Sequence, residues 1–385
     1  MNYTVFSGYT IGQSHVKADM GCEDFADHYV DPEGRYVISV ICDGHSDPKC
    51  FRSAKGAGLG CNAAIKILKN LFEVYCEERK EDAPERFFSK KEETMTRLKA
   101  DILQEWNRTV REDLQRNPIE EEEYASLDTP QYRDAMRYYQ SGKGLNNIYG
   151  ATLLAAAACE DFHLALQIGD GIVVRLEGDG IYTVPLEDDD KNEIEGPASL
   201  CDFDLLSRKK GFRMDIFPGR PQAMFAVSDG VGDTPITAGL KETFFLFHKG
   251  LAEHGDVEVQ EGVLGLNAEQ QKWPNEFLSY YSKRGAQDDC SLSGFADLTL
   301  PVAEVRLSQE EIDRMYRELE KERQRRTERY EEIRNRLLAA QKKNENEIGD
   351  LQMQIEELKR NISSLEAKLG EKKDMAKGRL LTVRM

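Results

Sequence analysis

Aspartates at the ends of apolar, strand-like runs are the feature that most constrains this chain. Such runs end at Asp43, Asp170 and Asp229, and another begins directly after Asp288 and Asp289. Aspartate is a poor strand former, and a buried carboxylate without a partner is costly. A single Asp-Gly pair is usually an Asx turn. The repetition at four strands favours a fold that gathers these carboxylates at one rim.

Carboxylates gathered in this way would repel one another unless cations lay between them. Oxygen ligands without His or Cys suit hard cations such as Mg²⁺ and Mn²⁺. Two such ions can share a bridging water, lower its pKa and direct the hydroxide at a phosphorus atom. The residues alone therefore favour metal-assisted hydrolysis of a phosphoester, although their spacing does not establish that the strands converge.

Strand-like and helix-like patterns occur in separate groups along residues 1–305. Helical periodicity extends from Ala54 to Tyr75 and again from Met95 to Leu114. β-branched and apolar runs predict strands at Tyr36–Cys42, Gly150–Cys159, Phe162–Ile168, Ile172–Glu177, Ala223–Ser228 and Cys290–Phe295. Helices in pairs and strands in runs predict an α+β fold rather than a repeated βαβ unit.

Charge is unevenly distributed along the chain. The 385 residues include 52 Lys and Arg against 70 Asp and Glu, a formal net charge of −18. Residues 306–385 hold 20 basic and 17 acidic residues, which leaves 32 against 53 in residues 1–305. Because the acidic first region would repel phosphodiester backbones, we expect no nucleic-acid partner.

Neither a membrane span nor a secretion signal is predicted. The longest apolar run, Leu153–Cys159, is far shorter than the roughly 20 residues that cross a bilayer. Residues 1–10 lack a basic segment followed by an apolar one. The eight cysteines contain no Cys-x-x-Cys pair. We therefore expect a cytoplasmic protein without a transmembrane segment, whose cysteines are mostly buried free thiols.

The C-terminal region has the pattern of a coiled coil. Proline is absent after Pro301, and apolar residues alternate in steps of three and four at Ile348, Leu351, Ile355, Leu358, Ile362, Leu365 and Leu369. Because this stripe needs a facing helix, we expect a homodimer through residues 345–369 or pairing with a partner helix, with folding back on the first domain as the alternative. The predicted domains are residues 1–300, a helical coiled coil at 306–371 and a basic tail at 372–385.

Six short motifs follow one another through residues 1–297. They are Cys22-Glu23-Asp24, Val40-Ile41-Cys42-Asp43-Gly44-His45, Gly150-Ala151-Thr152, Ile168-Gly169-Asp170-Gly171, the run from Ala226 to Asp233, and Asp288-Asp289-Cys290-Ser291. In this order they resemble the metal-dependent type 2C protein serine/threonine phosphatases, and Ser14-His15 adds a likeness to a bacterial branch. The resemblance implies a four-layer α-β-β-α sandwich of two antiparallel sheets flanked by helix pairs, with metals at one edge.

The resemblance also implies roles for individual residues. Two or three Mn²⁺ or Mg²⁺ ions would be held by Glu23, Asp24, Asp43, the carbonyl of Gly44, Asp170, Asp229, Asp233 and Asp288. Asp43 would bridge two ions, and a hydroxide between them would attack phosphorus without a phosphoenzyme. His45 would protonate the leaving alkoxide. Asp288 is taken as the ligand in its motif, and Asp289 is the alternative.

The chain departs from the family pattern where the substrate phosphate would bind. Many members have an arginine near the start, whereas this chain has His15 and Lys17 there. We predict that His15 contacts the phosphate, with Arg52 as the alternative. In addition, Ser46-Asp47 follows His45 where the family usually has Gly-Gly.

The predicted function is metal-dependent hydrolysis of phosphoserine and phosphothreonine in proteins. One alternative is a catalytically weak pseudophosphatase that acts as a binding scaffold through its coiled coil. Another is a hydrolase of small phosphoesters. The acidic segment Glu187–Glu195 is predicted to be either a flap that steers basic substrates or a solvated loop.

Overall fold

The computed structural model describes most of the first 300 residues and two parts of the C-terminal region. The described residues are 1–177, 182–186, 198–208, 211–232, 247–248, 258–260, 263–265, 272–284, 287–300, 321, 324–325, 327–337 and 345–375. Asp233 and the segment Glu187–Glu195 lie outside them. The chain divides into two compact units, Met1–Ala303 and Glu304–Met385.

The strands of the first unit form two sheets. They are β1 (Thr4–Thr10), β2 (Phe25–Val30), β3 (Tyr36–Cys42), β4 (Leu153–Cys159), β5 (Phe162–Ile168), β6 (Ile172–Leu176), β7 (Tyr182–Thr183), β8 (Arg213–Pro218), β9 (Ala223–Val227), β10 (Glu258–Gln260), β11 (Val263–Gly265) and β12 (Cys290–Ala296). The first sheet has the order β10-β11-β1-β12-β9-β6-β7, and the second has the order β2-β3-β4-β5-β8. Neighbouring strands are antiparallel except for a short parallel pairing of β1 with β11.

Helices cover the outer faces of both sheets. Among the described residues, the α-helices of the first unit are α1 (Gln13–Ala18), α2 (Ser53–Glu77), α3 (Ala83–Ser89), α4 (Lys91–Arg116), α5 (Arg133–Gln140), α6 (Asp229–Gly232) and α7 (Lys272–Arg284), and Pro48–Cys50, Glu121–Leu127 and Leu145–Tyr149 are 3₁₀ helices. The second unit contains α8 (Glu345–Met375). The α2 helix packs on the second sheet and on α4, and α7 packs on β1 and β12 of the first sheet. The predicted α-β-β-α sandwich is confirmed. None of the described helices is both long enough and apolar enough to cross a membrane.

Strand β4 shows how the layers pack. All of its side chains are buried. The odd-numbered residues from Leu153 to Cys159 join the core between the second sheet and its helices. The even-numbered residues from Leu154 to Ala158 join the core between the two sheets. Because successive side chains of a strand point to opposite faces, one apolar run serves two cores, and its alanines allow close packing.

The strand register brings the acidic ends together. The start of β2 lies beside the end of β3, because Phe25 pairs with Cys42. The start of β12 likewise lies beside the end of β9, because Leu292 pairs with Val227. The start of β4 pairs with the ends of β3 and β5. Antiparallel pairing thus turns separate strand ends into one rim of the sandwich.

In the second unit, the apolar stripe of α8 faces the helical residues 327–337 of the same chain. Ile333 packs with Leu351 and Ile355, all three of them buried, while Tyr330 and Leu358 lie partly buried against them. The facing helix that the heptads require is therefore present within the chain along this part of α8. Burial of this part of the stripe does not need a second copy of the chain.

Candidate metal centre

Four carboxylates from separate strand ends lie close together, and we call Asp24, Asp43, Asp229 and Asp288 the carboxylate cluster. Burial raises the pKa of Asp43 well above its usual range, and the neighbouring charges of the other three aspartates raise it further. This is the environment expected when carboxylates converge without a cation between them. The geometry therefore places these predicted ligands at one site.

Asp24 is the most deeply buried member of the cluster, with 3% of its surface exposed. Burial raises its pKa to about 7, although the nearby hydroxyls of Ser291 and Ser228 act in the opposite direction. These hydroxyls are close but not aligned, since neither carboxylate oxygen of Asp24 has a hydrogen-bond partner. Buried acceptors without donors are rare in proteins, and a bound cation would satisfy them.

Glu23 presents one fixed and one unpartnered oxygen beside the cluster. The Ser53 hydroxyl, at the start of α2, donates a hydrogen bond to Oε1 of Glu23 at 2.6 Å. The second oxygen, Oε2, is buried without a hydrogen-bond partner. Burial raises the pKa of Glu23, and Ser53 and Ser46 partly offset this effect. One oxygen of Glu23 is thus oriented by the fold while the other could bind a metal ion.

Two glycines allow the backbone segments of the site to approach closely. A Cβ atom on Gly44 would lie 2.7 Å from the carbonyl oxygen of Glu23, and one on Gly230 would lie 1.9 Å from that of Asp289. Gly44 also forms an isolated antiparallel bridge with Ala151. A larger residue at either glycine would push apart the strands that carry the carboxylates.

The structure distinguishes the adjacent residues Asp288 and Asp289. Asp289 is buried, and its two oxygens accept hydrogen bonds from the backbone N–H groups of Gly12 at 2.7 Å and Glu23 at 2.5 Å. Asp288 is exposed and contributes to the raised pKa of Asp43. Asp289 therefore joins backbone segments, which leaves Asp288 as the better placed metal ligand.

His45 lies beside Asp170 at the edge of the site. Its backbone N–H donates to the carbonyl of Gly150 at 3.2 Å. Burial lowers the pKa of the His45 ring, while the charges of Asp170 and Asp202 act in the opposite direction. The predicted proton donor and the aspartate predicted for the third metal are thus close in space, and Asp170 is exposed.

Arg52, one of the two phosphate-binding candidates, is already fully hydrogen-bonded. Its guanidinium donates to both carboxylate oxygens of Glu123, to the carbonyls of Asn117 and Pro118, and to the hydroxyl of Tyr149. A guanidinium has five N–H donors, and these five contacts use all of them. A phosphate could reach Arg52 only by displacing these partners.

His15, the other candidate, is also engaged within the protein. Its Nε2 atom lies 2.9 Å from the Ser46 hydroxyl, and its Nδ1 atom lies 3.0 Å from Oδ1 of Asp289. Only 6% of the side chain is exposed. These contacts do not favour direct binding of phosphate, and phosphate binding by His15 or Arg52 stays a prediction.

Two positioning residues were not identified as such from the sequence. The backbone N–H of Asp43 donates to Oγ1 of Thr152 at 3.0 Å, and Ser53 orients Glu23. The Gly150-Ala151-Thr152 motif was a usable signal for Thr152, whereas nothing in the sequence marked Ser53.

Among the residues that the structure describes, no group of three or more His, Cys, Asp or Glu is already arranged to hold a metal ion.

Comparison with known families identifies the fold that carries this site. A family model described as protein phosphatase 2C matches residues 11–262, which is more than half of the chain. The chain belongs to the protein phosphatase 2C family. The match extends over the motifs from Glu23 to Asp233 and ends before Asp288.

Several solved structures of bacterial phosphatases are similar to this member of the protein phosphatase 2C family. The catalytic domain of the serine threonine protein phosphatase PstP in complex with 2 manganese ions is 14% identical, with a TM-score of 0.42, over 76% of this chain and 97% of that one. The serine/threonine phosphatase PstP/Ppp of Mycobacterium tuberculosis is 13% identical, with a TM-score of 0.42, over 77% and 99%. The serine/threonine phosphatase of S. agalactiae is 12% identical, with a TM-score of 0.41, over 76% and 99%. Among curated protein sequences, none matches this chain.

Proposed function

We propose that this protein phosphatase 2C member is a divalent-metal-dependent enzyme that hydrolyses phosphoserine and phosphothreonine in proteins. The observation that carries the proposal is the carboxylate cluster, in which burial and like charges raise the pKa of Asp43. The unpartnered buried oxygens of Asp24 and Glu23 support it further. Such a set of oxygens fits Mn²⁺ or Mg²⁺ better than any softer metal.

The proposed ligands come from five segments of the first unit. They are Glu23, Asp24, Asp43, the carbonyl of Gly44, Asp229 and Asp288 for two ions, with Asp170 and Asp233 for a third. When bound, the ions would supply charge stabilisation for the phosphoryl oxygens and a water of lowered pKa. Ser53 would hold Glu23 in place, and Thr152 would hold the backbone of Asp43.

His45 would deliver a proton to the leaving oxygen of serine or threonine. The serine or threonine oxygen would otherwise leave as a poorly stabilised alkoxide anion, and a proton from an imidazolium ring lets it leave as the neutral alcohol. Burial opposes the charged ring, whereas Asp170 and Asp202 favour it. The two carboxylates offset the effect of burial only in part, so the pKa of His45 is lowered and the fraction of protonated ring rises as the pH falls.

A groove whose lining begins shortly after His45 in the chain supports a polypeptide substrate over a small phosphoester. The groove has a volume of about 1080 Å³, and its lining includes Lys49 and Cys50. It also includes the exposed apolar side chains of Phe203 and Leu206. Sites for small molecules usually occupy about 300–1,000 Å³, so this groove has room for several residues of a peptide.

The test measures phosphate release from a phosphothreonine peptide and from p-nitrophenyl phosphate with Mn²⁺, with Mg²⁺ and with EDTA. We expect metal-stimulated release that Asp229→Ala abolishes. The matched control is Asp297→Asn, because Asp297 is a buried aspartate at the opposite end of β12 that pairs with Arg220. No metal-stimulated release from either substrate, together with no metal binding by calorimetry, would favour the pseudophosphatase alternative.

We propose that the second unit forms a helical hairpin rather than a dimer interface. Because residues 327–337 cover α8 at Leu351 and Ile355, light scattering of the whole protein is expected to give a monomeric mass. A dimeric mass that Leu365→Asp converts to a monomeric one would instead restore the homodimer prediction.

A further inference from the structure

His15, Asp289, Ser46 and Glu23 form a chain of contacts next to the carboxylate cluster, and His15 and Asp289 are buried within it. Nδ1 of His15 lies 3.0 Å from Oδ1 of Asp289, and Nε2 lies 2.9 Å from the Ser46 hydroxyl and 3.9 Å from Oε2 of Glu23. The steps of the reaction proposed above use neither His15 nor Asp289. The arrangement therefore needs an explanation of its own.

Asp289 is the fixed end of this chain. Its carboxylate already accepts the backbone N–H groups of Gly12 and Glu23, so it ties together the segments before α1, before β2 and before β12. A carboxylate can only accept hydrogen bonds, so Nδ1 of His15 must carry the hydrogen that faces it. The ring is not aligned for a linear hydrogen bond at this separation of 3.0 Å.

The other edge of the ring faces two parts of the proposed active site. Ser46 directly follows His45, and its hydroxyl bonds Nε2 of His15 and also lies near Glu23, where it lowers the pKa of that carboxyl. Oε2 of Glu23, which has no hydrogen-bond partner, lies 3.9 Å from Nε2. The imidazole therefore lies between the side-chain carboxylates of Asp289 and Glu23 and contacts the loop that follows His45.

We propose that His15 is a positioning residue that orients the metal ligand Glu23 and the loop carrying His45. This inference rests on the proposed function, because it requires metal binding at the carboxylate cluster. It replaces direct contact between His15 and the substrate phosphate, which the burial of the ring disfavours. Residues that orient metal ligands typically change metal affinity about 10- to 100-fold when they are replaced.

The experiment measures Mn²⁺ binding by calorimetry for the wild-type protein and for His15→Ala, His15→Asn and His15→Gln. The asparagine amide nitrogen can replace Nδ1, which faces Asp289, whereas the glutamine amide can replace Nε2, which faces Ser46. We expect Ala and Asn to weaken Mn²⁺ binding about tenfold or more, and Gln to stay within about threefold of the wild type. The matched control is His28→Ala, because His28 pairs with the Ser7 hydroxyl at 2.8 Å. Its Mn²⁺ affinity should equal that of the wild type.

A second measurement separates positioning from phosphate contact. At saturating Mn²⁺, the KM for p-nitrophenyl phosphate should be unchanged in the His15 variants. A KM that rises while Mn²⁺ affinity is unchanged, or His15→Ala and His15→Asn variants that bind Mn²⁺ as the wild type does, would overturn the inference alone. A wild-type protein that binds no Mn²⁺ would overturn the proposed function as well.

If the His15 variants do not fold, Ser46→Ala tests the same inference, because the Ser46 hydroxyl contacts Nε2 of His15. Ser46 is exposed, so its replacement leaves the core intact. Loss of its hydroxyl should weaken Mn²⁺ binding severalfold, and unchanged affinity would count against the proposed role of the ring.

Discussion

Two acidic networks in the first unit differ in the charges that face them. In the carboxylate cluster, burial and the charges of three other aspartates raise the pKa of Asp43. In the second network, which we call the Arg52 network, hydrogen bonds from Arg52 lower the pKa of Glu123. Burial alone would raise the pKa of Asp113, but hydrogen bonds from Lys55 and Tyr149 lower it.

The difference shows how buried acids divide between structural and ligand-binding roles. Where cationic side chains are supplied by the fold, as in the Arg52 network, the charges are compensated and the contacts stabilise the protein. In the carboxylate cluster, the charges that raise the pKa of Asp43 are those of other aspartates, and under the proposed function a bound cation would compensate them. Arg52 and Ser53 are adjacent in the chain, yet Arg52 bonds Glu123 and Ser53 bonds Glu23.

The largest expected effect is the loss of catalysis in Asp43→Asn. Removing this carboxylate should lower metal-stimulated kcat/KM about 10³-fold or more, because the charges that bind the ions and the phosphoryl group are disrupted. Unfolding in urea with EDTA should show no loss of stability, since one of several mutually repelling charges is gone. A variant that keeps wild-type kcat/KM would show that the carboxylate cluster is not the catalytic site.

In contrast to Asp43→Asn, Arg52→Met should lower stability and leave substrate binding unchanged. Breaking this largely buried ion pair should lower the free energy of unfolding by about 3 kcal/mol, because Glu123 and Asp113 lose a cationic partner. The folded variant should retain the wild-type KM for p-nitrophenyl phosphate. Arg79→Met serves as the control, because the more exposed pair with Asp161 should cost less than about 1 kcal/mol. An Arg52→Met variant with a raised KM and unchanged stability would restore Arg52 as a phosphate ligand.

Metal binding should stabilise the protein through the carboxylate cluster. At a Mn²⁺ concentration about 100 times the dissociation constant, mass action adds about 2.7 kcal/mol to the free energy of unfolding. Asp24→Asn should reduce this gain, whereas Glu123→Gln should not. Urea unfolding with and without Mn²⁺ measures the gain, and an equal gain in Asp24→Asn would exclude Asp24 from the metal site.

The smallest expected effect is a pH dependence from Glu123. Hydrogen bonds from Arg52 hold the pKa of Glu123 below its usual range, so its stabilising effect is present above about pH 4.3 and is lost as the pH falls below that value. In EDTA, wild type should exceed Glu123→Gln by about 1 kcal/mol at pH 6, and the difference should shrink toward pH 3. A difference that does not change with pH would contradict this assignment.

Periodic elements were predictable because their signals are local. Helix α2 was predicted at Ala54–Tyr75 and extends over Ser53–Glu77, and α4 was predicted at Met95–Leu114 and extends over Lys91–Arg116. The strand-end aspartates were also visible as a pattern, since each stands next to an apolar run. The short helix α5 and the 3₁₀ helices were not predicted, because tertiary packing rather than periodicity sets them.

The contacts between residues that are far apart in the chain could not be predicted from the sequence in the same way. The contact between Arg52 and Glu123 joins residues 71 positions apart, and that between Gly12 and Asp289 joins residues 277 positions apart. The contact with Gly12 shows that Asp289 joins backbone segments. The sequence had left open which of Asp288 and Asp289 is the metal ligand. The heptad stripe of α8 showed that a facing helix was needed, but not that residues 327–337 of the same chain would provide it.

Local sequence was sufficient for the α+β class, the positions of the acidic strand ends and the motifs of the family. These follow from spacing and residue type, which act between neighbours along the chain. The roles of His15, Arg52 and Asp289 came only from the folded arrangement. Whether a buried charge is compensated depends on which distant groups the strands and helices bring within a few ångströms of it, and that is a property of the tertiary structure.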